Sequence, residues 1–283
     1  MLNNDKTGLS PEHDTEFSNA TIETWIEKNP GLAILKIKHD NGLVPNFEAG
    51  QFITIGLPRS HPPVIDPNQY PKDDPRWQKL WRRAYSIASS PKNREYVDLL
   101  INVVDDGKLT PKLWHIKERG RLWMDTKIKG DFTLQHIPKN QDLVMVATGT
   151  GIAPYISMLH AHRNTKRWRR FIIIHGCRLQ EDLGYQVELE YIANNDGSVI
   201  YIPTVTREPE QSNWRGLRGR VPMVLDPINY KKLAGSKLDP KRCHIFLCGN
   251  PEMINQVEEL LLQKGFTTHS RKQPGNIHFE RYW

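Results

Sequence analysis

Apolar and polar residues alternate through the first half of the chain, and past about residue 140 the alternation gives way to unbroken apolar runs. Thr21-Ile22-Glu23-Thr24-Trp25-Ile26 and Leu32-Ala33-Ile34-Leu35-Lys36-Ile37-Lys38 read as half-buried strands, because successive strand side chains point to opposite faces. Phe52–Leu57, Tyr85-Ser86-Ile87 and Val97–Val104 continue the pattern. Short strands separated by Gly, Pro and Asn predict an antiparallel barrel or sandwich from about Ser18 to about Leu134. One stretch breaks the rhythm. Pro58–Arg82 carries six prolines among charged and aromatic residues and reads as a long inserted loop.

Leu143–Ala147, Phe171–Ile174, Ile200–Ile202 and His244–Cys248 are apolar at nearly every position. Short strands of this kind are buried on both faces, as in a parallel sheet flanked by helices. Helical segments fall between and after them at Pro154–Arg163, Asp182–Asn194 and Pro251–Lys264. The last places Met253, Val257, Leu260 and Leu261 at helical spacing. The chain therefore divides into a leader at 1–18, a β-barrel domain at 19–137 with an insertion at 58–82, and an α/β domain at 138–283. No internal repeat is evident.

With 283 residues there is enough chain for two cores. Hydrophobic and charged shares of 38% and 25% are those of a soluble globular protein. No run approaches the roughly 18 apolar residues that span a bilayer. Met1–Ser18 is polar and acidic, without the basic flank and apolar stretch of a signal peptide. Cys177, Cys243 and Cys248 are too few and wrongly spaced for a disulfide framework or an iron–sulfur cluster. A reducing cytoplasm fits best, no metal is expected, and nothing in the sequence demands more than a monomer. The net charge of +7 gathers at Arg82-Arg83, Lys166–Arg170, Lys231-Lys232, Lys241-Arg242 and Arg271-Lys272. Each cluster reads as a solvated face or as a surface that steers an acidic partner. Nucleic acid is not expected, since no helix-turn-helix, zinc or RNA-binding signature accompanies the charge.

Candidate chemistry lies in the turns. Thr148-Gly149-Thr150-Gly151-Ile152-Ala153-Pro154 follows a buried strand and opens a helix. Glycines let backbone approach a ligand, helix N-termini attract anions, and proline suits the first helical turn. A third glycine is absent, so this is not the ordinary dinucleotide fingerprint. Cys248-Gly249-Asn250-Pro251-Glu252-Met253 repeats the strand–glycine–helix arrangement. Ligands of open α/β sheets bind at the carboxyl ends of strands, which puts Cys248 beside a cleft; as a small buried residue it would do equally well in a core. Arg178, Arg207 and Arg220 follow other strands of this half. They are surface decoration, or together a grip on a doubly charged phosphate, which would select NADP over NAD. The chain closes on Tyr282-Trp283, an aromatic end that needs a surface to cover.

Arg83-Ala84-Tyr85-Ser86, Gly107-Lys108-Leu109-Thr110-Pro111, Thr148–Pro154, Cys248-Gly249-Asn250-Pro251 and the Tyr-Trp end occur in one order. In this the chain resembles the bacterial-type ferredoxin (flavodoxin)–NADP reductases of the ferredoxin-NADP reductase family, from roughly Ser18 to Trp283. The resemblance implies an N-terminal antiparallel FAD barrel followed by a C-terminal parallel-sheet NADP domain. It implies that Tyr85 stacks on the flavin, that Arg83 contacts its phosphates, that Ala84 contacts the same cofactor, and that Ser86 lies near flavin N5. Lys108, Leu109 and Thr110 would open a short helix at the pyrophosphate, and Leu100, Ile101 and Asn102 would line the same cofactor. Thr148 would lie between flavin and nicotinamide, and Trp283 would cover the flavin face. Arg178, Thr206, Arg207 and Arg220 match positions that hold the 2′-phosphate, with Gly249, Asn250 and Met253 on the same nucleotide. Ser86, Cys248 and Trp283 are the catalytic positions so implied. The function implied is exchange of a hydride between NADP(H) and FAD and of single electrons with an acidic ferredoxin or flavodoxin. The reductase component of a multi-protein oxygenase or dehydrogenase would use the same two domains. A nucleotide-regulated binding protein for nucleic acid or membrane is the non-enzymatic reading.

Overall fold

The computed structural model describes residues 18–59 and 79–281. The leader up to residue 17, the middle of the insertion and the terminal Tyr282-Trp283 pair lie outside the described residues.

Six strands make the first sheet: β1 (Ala20–Asn29), β2 (Leu32–His39), β3 (Phe52–Pro58), β4 (Leu80–Ser86), β5 (Val97–Asn102) and β6 (Arg121–Met124). They pair antiparallel in the order β4-β3-β6-β1-β2-β5. An Ile87–Leu99 bridge joins the end of β4 to β5, so the two outer strands meet and the sheet closes as the expected barrel. Alternation sets which side faces in: Ile22, Leu35, Ile37, Ile53, Ile55, Leu99 and Ile101 form one core with Leu109 and Leu113 of the segment at α1 (Thr110–Ile116). The ladder also takes in both ends of the proline-rich stretch. Pro58 pairs with Leu80 and Leu57 with Trp81, since proline is tolerated at the end of an edge pairing. Lys112 of α1 is 1% exposed. Its Nζ donates to the Pro58 and Arg59 carbonyls at 3.3 and 2.6 Å, tying α1 to the end of β3.

The second sheet is parallel, in the order β10-β9-β8-β7-β11-β12. Its strands are β7 (Asp142–Thr148), β8 (Arg170–Cys177), β9 (Val199–Val205), β10 (Leu217–Arg218), β11 (Cys243–Gly249) and β12 (Ile277–Arg281). The unbroken apolar runs have a simple cause. Leu143, Met145, Ile173 and Phe246 face one core with α2 (Ala153–His162) and α3 (Gln186–Asn195). Val144, Val146, Ile172, Ile174, Ile245 and Leu247 face the other, with α4 (Val221–Val224), α5 (Pro227–Ala234) and α6 (Pro251–Leu262). The first of these cores also contains Leu32, Ile34 and Leu100 of the barrel. Ser157 of α2 donates to the Ser89 carbonyl at 2.7 Å across the same seam. A shared apolar core and a buried hydrogen bond thus fix how the barrel meets the parallel sheet. Among the described residues no helix is long and apolar enough to cross a membrane.

Candidate active site

The carboxyl ends of β7 and β11 meet in backbone contact, and glycine makes this possible. A Cβ on Gly151 would stand 2.4 Å from the Cys248 carbonyl oxygen. One on Gly249, whose φ is +127°, would stand 2.4 Å from Thr148 Oγ1. With both bare, Thr148 Oγ1 accepts a hydrogen bond from the Asn250 amide at 2.8 Å. Asn250 in turn caps α6, its Oδ1 accepting from Glu252 N at 2.7 Å and Met253 N at 3.4 Å, which satisfies amides that have no partner within the helix. The expected Thr148, Gly249, Asn250 and Met253 are therefore one connected group. Cys248 is fully buried beneath them. Gly149 is different: it has φ +54° and nothing within 4 Å of a would-be Cβ, so the turn offers open space there.

Beside this group the barrel contributes Ser86, the last residue of β4, which is 5% exposed. Its hydroxyl donates to Glu280 Oε2 at 2.9 Å. Glu280 lies on β12 in register with Cys248. Burial pushes the Glu280 carboxyl up to about 7, against the Ser86 hydrogen bond, which pulls it down. Glu280 carries no mark of its role in the sequence. Ile277–Arg281 has no run of apolar residues to mark a strand, and only its pairing with β11 aims the carboxylate at the barrel.

On β4, Arg83 and Ala84 are exposed and Tyr85 is half-buried. Tyr85 packs on the barrel core, where burial pushes its phenol up. Arg83 Nη1 donates to the Arg82 carbonyl at 2.8 Å, and the Arg82 guanidinium lies 4.1 Å from the Trp123 ring centroid. The Gly107–Thr110 segment is a closed turn: Thr110 Oγ1 accepts from Val104 N at 2.9 Å, and Gly107 N donates to Val104 O at 2.8 Å. Thr110 begins α1, Leu109 is core and Lys108 is exposed. The three residues Leu100, Ile101 and Asn102 part company. Ile101 belongs to the barrel core, Asn102 is exposed, and Leu100 packs against Gly184 of the other half.

Arg178, Thr206, Arg207 and Arg220 are all exposed, and they cluster by backbone links between strand ends. Arg207 N donates to Arg178 O at 2.8 Å, Thr206 N to Cys177 O at 3.1 Å, and Gly219 N to Val205 O at 2.8 Å. Arg220 directly follows that glycine and opens α4. These side chains stand apart from the Ser86–Glu280 pair, at the β8–β9–β10 side of the sheet.

A closed antiparallel barrel seated on a parallel sheet, with polar groups gathered where the strand ends of both converge, is the architecture of the two-domain flavin and nicotinamide reductases. The chain belongs to the flavodoxin/ferredoxin–NADP reductase family. It is 32% identical to the flavodoxin/ferredoxin–NADP reductase of Buchnera aphidicola, over 93% of this chain and 100% of that protein. The Escherichia coli enzyme of the same description is 29% identical, over 84% and 88%. Residues 145–259 match the family model of the oxidoreductase NAD-binding domain. Among solved structures, a ferredoxin NADP+ reductase from Neisseria gonorrhoeae with bound FAD and NADP superposes with a TM-score of 0.79 at 25% identity, covering 94% of this chain and 98% of that one.

Proposed function

We propose that the cleft between the barrel and the parallel sheet performs the family's reaction: a hydride passes between NADP(H) and FAD, and single electrons pass to or from a ferredoxin or flavodoxin. The observation that carries this reading is the Ser86–Glu280 hydrogen bond, which sets a buried polar pair at the meeting of β4, β12 and the Thr148 turn. The residues present fit both cofactors. The bare outer edge of β4 at Arg83–Ala84 and the Tyr85 ring offer a charged and an aromatic surface for FAD. The turn that starts at Lys108 offers backbone amides for its pyrophosphate. The open space at Gly149 leaves room for the nicotinamide nucleotide beside Thr148. FAD, when bound, supplies the conversion between two-electron and one-electron transfer.

This chain's own residues position and tune. The Ser86 hydroxyl donates to Glu280 Oε2, and the Glu280 carboxyl, with a value of about 7, can release or take up its own proton near neutrality. Cys248 backs the Thr148 turn, and Trp283 is assigned to the flavin face. Arg178, Thr206, Arg207 and Arg220 are assigned to the 2′-phosphate, where arginine forks match phosphate geometry. The domains follow the same division, with FAD on residues 19–137 and NADP on 138–283. The carrier is acidic, drawn by the basic surface, and the chain works as a cytoplasmic monomer without nucleic acid.

An anaerobic visible spectrum of the purified protein, titrated first with NADPH and separately with NADH, tests the reading. A yellow protein bleached readily by NADPH and poorly by NADH supports it. A protein that stays colourless and inert after FAD is added overturns it.

A further inference from the structure

His175 on β8 is a polar side chain fully removed from water, at 0% exposure. The reaction proposed above leaves it without a role. Its two ring nitrogens are both engaged. Nε2 lies 2.9 Å from the Gly149 carbonyl oxygen, and Nδ1 lies 3.3 Å from the Tyr201 hydroxyl of β9. A carbonyl can only accept, so Nε2 carries the hydrogen. In a neutral ring Nδ1 then has none and accepts from the Tyr201 O–H. Burial holds the ring neutral, pushing its value down to about 4. The Cys177 Sγ, 3.4 Å from the same Nε2, belongs to a thiol that burial pushes up to about 12, so no charge intrudes. Hydrogen bonds therefore run one way, from Tyr201 through His175 to Gly149.

The Gly149 carbonyl is one half of the Gly149–Thr150 peptide, and in a trans peptide C=O and N–H point in opposite directions. Drawing the carbonyl inward to a buried imidazole turns the Thr150 N–H outward, toward the open space of the turn. Gly149 cannot enforce this alone. It opens the short 3-10 helix Gly149–Ile152, and at φ +54° with no side chain it restrains its own following peptide less than another residue would. A rotated peptide would present a carbonyl oxygen where a nucleotide phosphate must lie.

We propose that His175, held in one tautomer by Tyr201, is a positioning residue that fixes the Gly149–Thr150 peptide with its N–H toward the cleft, and so favours the pyrophosphate of NADP(H). The inference rests on the nucleotide assignment above. It predicts a split between two ligands. NADP+ carries the pyrophosphate, whereas 2′-AMP carries only the phosphate assigned to the arginines.

Calorimetric titration of the FAD-loaded protein with each ligand tests it. His175→Phe keeps a flat ring of similar size and removes the donor. It is expected to weaken NADP+ about tenfold, the scale of one hydrogen bond to a charged group, and to leave 2′-AMP within about twofold. His175→Gln keeps a donor and restores most of the affinity, and Tyr201→Phe weakens NADP+ by a smaller factor. Equal weakening of both ligands would reduce His175 to a structural role, and unchanged NADP+ binding in His175→Phe would remove the proposal. Should His175→Phe fail to fold, 15N-edited spectra of the wild-type imidazole decide: an Nε2–H tautomer supports the proposal and an Nδ1–H tautomer overturns it. Failure of the wild type to bind either ligand would instead sink the nucleotide assignment itself.

Discussion

Ser86 and Glu280 are 194 positions apart in the chain, yet the hydroxyl of one donates to the carboxylate of the other across 2.9 Å. Their contact joins the end of barrel strand β4 to β12, the last strand of the parallel sheet. It also gives the protein a pH signature. The Glu280 carboxyl is raised from an ordinary 4.5 to about 7, first by burial. Between these values the folded state holds a proton that the unfolded state has released, so stability falls as pH rises through this window. Below about 4.5 the penalty is absent, and above about 7 it is fully present. Glu280→Gln removes the titration. Urea unfolding of the two proteins from pH 4 to 8 should therefore show a gap that widens in favour of the variant by up to about 3 kcal/mol. Parallel curves would mean that Glu280 does not titrate in this range.

Two glycines of one turn should respond very unequally to the same methyl group. In Gly151→Ala the new Cβ meets backbone, the Cys248 carbonyl at 2.4 Å, and backbone cannot step aside as a flexible side chain can. Separating β7 from β11 breaks the Thr148–Asn250 hydrogen bond as well. The expected cost is about 3 kcal/mol of stability, with nucleotide affinity lost. In Gly149→Ala nothing stands in the way, and only the positive φ is strained, for about 1 kcal/mol. Thermal unfolding and NADP+ titration of both variants check this, and equal effects would contradict the close approach of the two turns.

Much of this architecture is visible in the one-dimensional pattern, for a physical reason. Strands buried on both faces must be apolar at every position, so β7, β8 and β11 announce themselves, and the half-buried barrel strands alternate. The elements that stay hidden have less to bury. β12 is an edge strand reading Ile-His-Phe-Glu-Arg, and β10 has two residues. The same limit applied to the site. Thr148, Gly249 and Asn250 are adjacent to strand–turn–helix signals and were legible from them. Glu280 and His175 were not, because each owes its role to a partner in a distant strand, and a lone acid or histidine carries no local mark. Ile101 shows the converse: it lies on the expected strand, but the two-residue period of the strand turns it into the barrel.

Asp142 anchors the other end of β7. Its side chain is 2% exposed and accepts from both Arg169 and Arg170, with Nη2 to Oδ2 distances of 2.8 and 2.6 Å. Removing one member of a buried pair strands the remaining charge. Asp142→Ala is expected to cost about 3 kcal/mol in urea unfolding, with Asp142→Asn intermediate. The Arg271–Asp131 contact is the control. Both of its side chains are more than three-quarters exposed, and such pairs contribute little. Asp131→Ala should leave the unfolding midpoint unmoved. A comparable loss there would mean that exposure is a poor guide to the strength of these pairs.

The assignment of the 2′-phosphate makes the sharpest demand on function. Arg178, Arg207 and Arg220 are exposed and pair with no carboxylate within 4 Å among the described residues. Backbone links between strand ends hold their segments together, as Arg207 N to Arg178 O at 2.8 Å does. Guanidinium groups free of carboxylates can turn to a phosphate dianion, each contributing on the order of 1.5–3 kcal/mol through charge-assisted bonds. NADH offers no such group. Arg207→Ala combined with Arg220→Ala should therefore raise the KM for NADPH by about a hundredfold, leave that for NADH nearly unchanged, and leave kcat for both near the wild-type value. A phosphate gripped equally before and during the reaction lowers KM without accelerating chemistry. Steady-state kinetics with both nucleotides at several salt concentrations make the measurement, and the preference for NADPH should shrink in the wild type as salt rises. Equal losses with NADPH and NADH would move the 2′-phosphate away from these arginines, while a fall in kcat alone would place them nearer the reacting atoms than the β8–β9–β10 edge on which they lie.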